Sequence, residues 1–183
     1  LYMGLPGQAG GEAVADLLYG RISPSGKLAE SWPFTYGDVP SSEIYGKTTD
    51  ALYQEGVYVG YRYYDKAGVP VRWPFGYGLS YTEFSYSDLT VNGNTVSVTV
   101  RNTDTCAGAE VAQLYVEAPQ DGLRRPLREL KGFRKVFLQP GQSETVSLTL
   151  TDRSFALWQD GWKIPAGQYT VSIGGLTATI DKH

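Results

Sequence analysis

The sequence has 183 residues, of which 42% are hydrophobic and 19% are charged, and its formal net charge is −3. These proportions are typical of a globular chain with a real hydrophobic core, and they exclude an intrinsically disordered one. The negative net charge argues against electrostatic capture of nucleic acid. The single cysteine, Cys106, and the single histidine, His183, argue against a disulfide, a metal site or a catalytic triad built from this chain.

The start of the chain is apolar and lacks the features of a secretory signal peptide. We expect residues 1–3 to be a strand without its beginning, within a segment of a longer protein. No run of 18 apolar residues occurs, so the sequence predicts neither a transmembrane helix nor a membrane partner.

The first 80 residues predict mixed structure. Residues 12–19 have apolar side chains at helical spacing, and Gly20 directly after them is a helix stop signal. Residues 27–32 are predicted to form a strand. Residues 34–50 have no periodicity and are rich in Gly, Ser, Thr and Pro, which predicts a surface loop.

From Phe84 onward the pattern is that of short strands separated by turns. Residues 96–100 alternate strictly between valine and polar residues, as a half-buried strand does. About seven such strands are predicted, which indicates an antiparallel sandwich of the immunoglobulin or fibronectin type III kind. The other six lie near residues 84–91, 111–116, 133–138, 146–150, 169–173 and 177–180.

The positive charge is concentrated between residues 124 and 135. Such a cluster can bind nucleic acid or another acidic ligand. In a chain of negative net charge, the favoured interpretation is a set of solvated positions beside an apolar strand, with no nucleic-acid partner. The residues concerned are Arg124, Arg125, Arg128, Lys131, Arg134 and Lys135.

Two glycine-containing stretches resemble nucleotide-binding loops and fail on spacing. In residues 20–28 the two glycines are separated by five residues rather than four, and Leu28 stands where a hydroxyl residue would hold magnesium. Residues 76–81 end in tyrosine, with no helix pattern after them. Both are interpreted as turns, and no cofactor is expected.

The densest mixture of aromatic and charged residues is the segment 55–65. Aromatic rings cover the apolar faces of sugars while charged groups bind the hydroxyls, so Glu55, Tyr58, Tyr61 and Arg62 are candidates for a substrate rim. The favoured interpretation is a segment packed between two domains, in which Arg62 pairs with a buried carboxylate. Nothing in the sequence marks two acids as the pair required for glycoside hydrolysis.

Several segments together resemble glycoside hydrolase family 3. The most specific is PFGYGLSYTEF at residues 74–84, which in that family joins an α/β-sandwich domain to a fibronectin type III-like domain. Further similar segments occur in the order of the family, and the resemblance covers essentially the whole chain. They are residues 5–8, 11–20, 23–28, 55–64, 107–116, 125–133 and 138–141.

The resemblance implies a retaining β-glycosidase whose two catalytic carboxylates lie elsewhere. In the family, the nucleophile is an Asp in a Ser-Asp-Trp-like motif on a barrel, and no such tripeptide occurs here. The acid/base Glu lies in a Glu-Gly-x-Asp-Arg-like motif, and Glu55-Gly56 continues differently. We therefore expect no catalytic residue and no metal site in this chain, which should be inactive alone.

The resemblance also implies the domain organisation and the partners. Residues 1–75 correspond to the tail of the α/β-sandwich domain, 76–83 to a connector, and 84–183 to the fibronectin type III-like domain. The expected partners are the remainder of the enzyme and an oligosaccharide or glucoside. The alternative function is a non-catalytic β-sandwich module that binds carbohydrate or protein. In that module Trp158 and Trp162 would be exposed and would stack on sugar, whereas the favoured interpretation of a tryptophan in a sandwich is a core residue.

Overall fold

The computed structural model describes residues 1–47, 49–50, 53–120 and 122–183. Within them the helices are α1 (Gly10–Leu18) and α2 (Tyr61–Ala67). The strands are β1 (Trp32–Pro33), β2 (Val71–Trp73), β3 (Phe84–Asn92), β4 (Thr95–Asn102), β5 (Gly108–Glu117), β6 (Glu129–Leu138), β7 (Ser143–Thr149), β8 (Leu157–Trp158), β9 (Trp162–Lys163), β10 (Gly167–Ile173) and β11 (Leu176–Lys182).

The seven longer strands form an antiparallel sandwich. One sheet has the order β11-β10-β5-β6 and the other the order β3-β4-β7. The observed bounds of β4 and β5 lie close to the predicted ones. In both strands buried residues alternate with residues that face outward, which is the pattern used for the prediction. The predicted fold class, a partial α/β segment followed by an all-β fibronectin type III-like sandwich, is confirmed.

The hydrophobic core lies between these two sheets. Of the seventeen buried hydrophobic residues among those described, all but Tyr61 and Tyr64 belong to it. The sandwich therefore has its own core, while the N-terminal segment (residues 1–83) has little. The core residues are Val96, Val98, Val100, Ala112, Leu114, Val116, Val136, Leu138, Val146, Leu150, Phe155, Tyr169, Val171, Ile173 and Ile180.

The N-terminal segment differs from its prediction in two strands: residues 1–3, expected to be a strand, belong to no strand, and the second difference lies at residues 27–32. Helix α1 is confirmed, and Gly20 follows it with a φ of +70°. The strand predicted over residues 27–32 is wrong, because Leu28 exchanges backbone hydrogen bonds of 2.8 Å with Gly76 and Tyr77 instead of joining a sheet. Only Trp32 and Pro33 are extended into a strand, β1, which pairs with β2.

The loop predicted over residues 34–50 contains a short 3₁₀ helix at Tyr36–Asp38. The Asp38 carboxylate accepts hydrogen bonds from the backbone N–H of Thr35, at 2.9 Å, and from its hydroxyl, at 3.0 Å. This pairing is the capping arrangement that starts a helical turn. Residue 48 of the loop lies outside the described residues.

Strand β3 is an edge strand with a break in its pairing. Its register with β4 shifts between Ser87 and Thr90, and Asp88 there has a φ of +53°. A non-glycine residue in this left-handed region marks a β-bulge. The strand is therefore bent at its middle.

Neither α1 nor α2 has the length and apolar character of a helix that crosses a membrane. Exposed apolar side chains are instead concentrated at the start of the chain. Twelve of the twenty large hydrophobic side chains that are exposed in the described residues lie between Leu1 and Val59. That surface is suited to contact with further polypeptide.

A buried asparagine ties the end of β4 to three other segments. The Asn102 amide oxygen accepts hydrogen bonds from the Thr82 hydroxyl, at 2.7 Å, and the Asp104 N–H, at 3.0 Å. Its amide nitrogen donates to the carbonyls of Cys106, at 2.7 Å, and Leu138, at 3.1 Å. The bonds to Thr82 and Leu138 are buried, so water does not easily replace them.

Substituting Asn102→Ala is expected to lower the free energy of unfolding by about 3 kcal/mol, because it leaves buried donors and acceptors unpaired. Urea denaturation followed by circular dichroism measures the change. The matched control is Ser147→Ala, which removes one exposed hydroxyl pair with Ser97 at 2.8 Å. An equal loss in the two variants would contradict the role of the Asn102 network.

Candidate functional site at the junction of the two parts

Tyr61, a predicted rim residue, is the first residue of α2 and is buried against the sandwich. Its ring stacks on Phe75, with centroids 4.7 Å apart, and meets Tyr115 edge-on at 6.1 Å. Its hydroxyl oxygen accepts a hydrogen bond of 2.8 Å from the N–H of Leu130 in β6. Tyr61 thus joins α2, the segment after β2 and the outer face of one sheet.

Arg62 lies next to Tyr61 and contacts the same sheet. Its Nε is 3.5 Å from the Glu129 carboxylate, and its guanidinium lies 5.3 Å from the centroid of the Tyr61 ring. Glu129 also pairs with Lys131 at 3.0 Å. These contacts fit the interpretation in which the segment packs between domains, although the carboxylate is half-buried rather than fully buried.

Glu55 and Tyr58 lie in the turn that precedes α2. The N–H of Tyr58 donates a hydrogen bond of 3.0 Å to the Glu55 carbonyl, and both side chains are half-buried. The structure thus separates the four candidates into two pairs, since Tyr61 and Arg62 contact the sandwich while Glu55 and Tyr58 belong to the turn. The rim role of all four stays a prediction.

The other end of α2 is held by an ion pair that the sequence analysis did not identify. The Arg128 Nε donates to the Asp65 carboxylate at 2.7 Å, and the Arg128 guanidinium lies 4.9 Å from the centroid of the Tyr115 ring. Burial disfavours the charged form of Arg128, but the hydrogen bond and charge of Asp65 outweigh it and raise the pKa. Arg128 therefore stays protonated at the junction.

A second missed contact joins Lys27 to β5. The Lys27 Nζ lies 2.9 Å from the Glu110 carboxylate, and these side chains are only 16% and 14% exposed. The Tyr86 hydroxyl donates to the same carboxylate at 3.1 Å. Burial, followed by the charge of Glu110, raises the pKa of Tyr86 well above its usual value. Glu110 is thus a paired structural carboxylate.

The connector 76–83 passes close to both parts, which explains two of its glycines. A Cβ at Gly76, whose φ is +80°, would collide with the Gln113 side chain, which donates a hydrogen bond of 3.2 Å to the Gly76 carbonyl. A Cβ at Gly78 would collide with the Gly26 carbonyl oxygen. The specific motif at residues 74–84 is therefore a close-packing motif.

A cleft of about 480 Å³ lies between the connector and the outer face of β5, β10 and β11. Its polar wall includes Glu110, Gln113, Tyr115 and Arg128. Each of these already has a partner. The Tyr115 hydroxyl donates to Gln113 at 2.8 Å, and the partners of Glu110 and Arg128 are Tyr86 and Asp65. The described residues contain no group of three or more His, Cys, Asp or Glu side chains that could hold a metal ion. The polar residues of this cleft therefore pack the connector and the N-terminal segment against the sandwich and orient them.

The basic stretch is largely paired. The prediction that its residues are solvated is wrong for Arg125, which is 7% exposed. Arg128, Lys131 and Arg134 each lie within 3.2 Å of a carboxylate. Charge neutralisation by the neighbouring acids accounts for positive residues beside an apolar strand in an acidic chain.

Two family models match the chain. Residues 1–61 match the Glycosyl hydrolase family 3 C-terminal domain, and residues 110–177 match the Fibronectin type III-like domain. The resemblance to family 3 is confirmed: the chain has the segments of that family's C-terminal domain and of its fibronectin type III-like domain.

Curated relatives and solved structures agree with this assignment. Thermostable β-glucosidase B of Acetivibrio thermocellus is 45% identical, with 96% of this chain and 25% of that protein covered. An exo-α-(1→6)-L-arabinopyranosidase of Bifidobacterium breve is also 45% identical, with 96% and 24% covered. The structure of β-glucosidase 3B from Thermotoga neapolitana, in complex with α-D-glucose, superposes with a TM-score of 0.88 at 44% identity, with 95% of this chain and 27% of that one covered. The chain thus spans about a quarter of the length of the curated relatives it matches.

The Lys27–Glu110 pair gives a test of the junction. Glu110→Gln leaves the Lys27 charge largely buried without its counter-charge, so the free energy of unfolding should fall by about 2–3 kcal/mol. The matched control is Glu43→Gln, which breaks an exposed Lys–Glu pair of 3.1 Å with Lys47 and should change stability far less. Urea denaturation compares the two, and indistinguishable losses would show that burial of the pair has no consequence.

Tyr115 gives a pH test. Burial raises its pKa to about 12, whereas an unfolded tyrosine titrates near ~10. The folded state holds this proton more tightly, so its contribution to stability is complete below pH ~10 and is lost as the pH rises from ~10 towards 12. Denaturation midpoints measured across this range should fall, and Tyr115→Phe should flatten the fall. The control Tyr53→Phe, at an exposed ring, should leave the slope unchanged; an equal effect would contradict the assignment.

Proposed function

We propose that this chain is the C-terminal part of a retaining β-glycosidase of the β-glucosidase kind, acting on terminal β-linked glucose in oligosaccharides or glucosides. Its role is to support the catalytic part and to hold a segment at the substrate rim. The nucleophilic Asp and the acid/base Glu are supplied by polypeptide outside these 183 residues.

The observation that carries the proposal is the concentration of exposed apolar side chains in the region that matches the family 3 C-terminal domain. Residues 1–61 match that domain, and the twelve exposed side chains noted above lie within the same region. Leaving so much apolar surface in water is unfavourable. The remainder of the enzyme, in the same parent chain or in another, is the partner that would cover it.

The rim role concerns the turn before α2. Glu55 and Tyr58 are half-buried there, and α2 directly after them is fixed to the sandwich at both ends, through Tyr61 and Asp65. A segment fixed in this way presents its preceding turn in one orientation. We assign Glu55 and Tyr58 to the rim itself and Tyr61 and Arg62 to its base.

The relatives favour a structural role for this chain over a role in the choice of sugar. A β-glucosidase and an exo-α-(1→6)-L-arabinopyranosidase are each 45% identical to this chain. The same region thus accompanies enzymes named for different sugars. In this proposal the choice of sugar rests mainly on polypeptide outside the chain.

The test is reconstitution. The purified chain should release no nitrophenol from p-nitrophenyl β-glucoside above a matched blank, because two carboxylates are required for retention. Co-expression with the preceding part of the parent gene should yield a complex that hydrolyses the glucoside, and that part expressed alone is the control. Hydrolysis by the isolated chain, or full activity of the preceding part without it, would overturn the proposal.

A further inference from the structure

An exposed tryptophan pair stands on the sandwich, on the hairpin β8–β9. Trp158 and Trp162 face each other across this hairpin, with ring centroids 5.3 Å apart and ring planes at 67°. Trp158 is 63% exposed and Trp162 is 49% exposed. The two indoles thus form an exposed, L-shaped aromatic pair on the surface and are not part of the core.

The residues before and after the hairpin are both fixed to the core. Phe155, just before β8, is buried and packs edge-on against Tyr169 at 5.2 Å. The Tyr169 hydroxyl lies 3.2 Å from the Phe155 carbonyl and 2.9 Å from the Pro165 carbonyl, so it reaches the start and the end of the hairpin. A site held in place by the core loses little conformational entropy when a ligand binds.

A cation lies on one of the two rings, and exposed polar residues occur at the tip of the hairpin. The Arg153 guanidinium lies over the Trp162 ring, in a cation–π contact that fixes its orientation. Gln159, Asp160 and Lys163 are exposed on the same short hairpin. Asp160 has a φ of +51°, and the Gln159 N–H donates to the Gly161 carbonyl at 2.9 Å, which closes the tip. Hydrogen-bonding groups therefore lie beside an apolar platform.

We propose that this tryptophan corner (Trp158 and Trp162 with Arg153) is a surface binding site for β-linked glucan chains. A β-glucopyranose ring carries its substituents equatorially, so both of its faces present C–H groups that stack on an indole, while its hydroxyls reach the surrounding polar side chains. Trp158, the more exposed ring, takes the sugar face, and Trp162 forms the side wall. The hairpin β8–β9 belongs to the sandwich and not to the turn before α2, so the site is separate from the proposed rim.

Isothermal titration with cellohexaose and affinity electrophoresis in barley β-glucan, both on the full 183-residue chain, test the proposal. The chain should be retarded by the glucan. Trp158→Ala and Trp162→Ala should each weaken binding roughly tenfold, the loss expected when one stacked ring is removed. Trp158→Phe should retain part of the affinity. Because both indoles are exposed, circular dichroism should show unchanged folding.

The matched control is Phe137→Ala, which removes an exposed ring from β6 on the same sandwich and should leave binding unchanged. Absence of binding by the wild-type chain, or unchanged binding by the tryptophan variants, would overturn the site. An equal loss in Phe137→Ala would show non-specific adhesion and would also overturn it. Hydrolysis by the reconstituted enzyme does not enter these measurements, so the two proposals fail independently.

Discussion

The ion pair between Lys27 and Glu110 is the constraint on which the arrangement of the two parts depends. A largely buried charged pair is stable only when geometry and further hydrogen bonds compensate the lost hydration. Tyr86 supplies such a bond at 3.1 Å, and the pair itself is 2.9 Å long. The backbone bonds of Leu28 to the connector then fix the segment beside it. Helix α2 is fixed separately on the outer sheet, through Tyr61 and Asp65.

The junction as a whole combines charge with aromatic packing. Tyr61 supplies a stacked ring and a hydrogen-bond acceptor, while Arg128 supplies a charge and a cation–π contact. Aromatic residues and arginine are the residues most enriched in protein interfaces, because they bury area and satisfy polar groups together. The same residue types are used in sugar sites. This overlap explains why composition alone left two interpretations of the segment 55–65.

The sequence predicted the sandwich well because strand signals are local. In β4, valines at every second position specify one buried face, and the structure places each of them in the core.

The contacts between the two parts could not be predicted in this way. Lys27 and Glu110 are 83 positions apart, and no local pattern relates them. Residues 27–32 have a strand-like sequence, but the backbone hydrogen bonds of Leu28 go to the connector. For α2 a usable signal existed: Gly68 follows the helix with a left-handed φ of +66°, as a helix-ending glycine does. The favoured interpretation of Trp158 and Trp162 as core residues is wrong, since both are exposed. Only the fold decides which side of a hairpin faces water.

The bulge in β3 has a consequence for self-association. An edge strand presents unpaired backbone donors and acceptors that invite another copy to extend the sheet. At Asp88 the backbone turns into the left-handed region, and the regular ladder is broken there. A strand from another copy would find a broken row of backbone donors and acceptors, with the Asp88 carboxylate beside it. The bend thus discourages fibril-like stacking along this side of the sandwich.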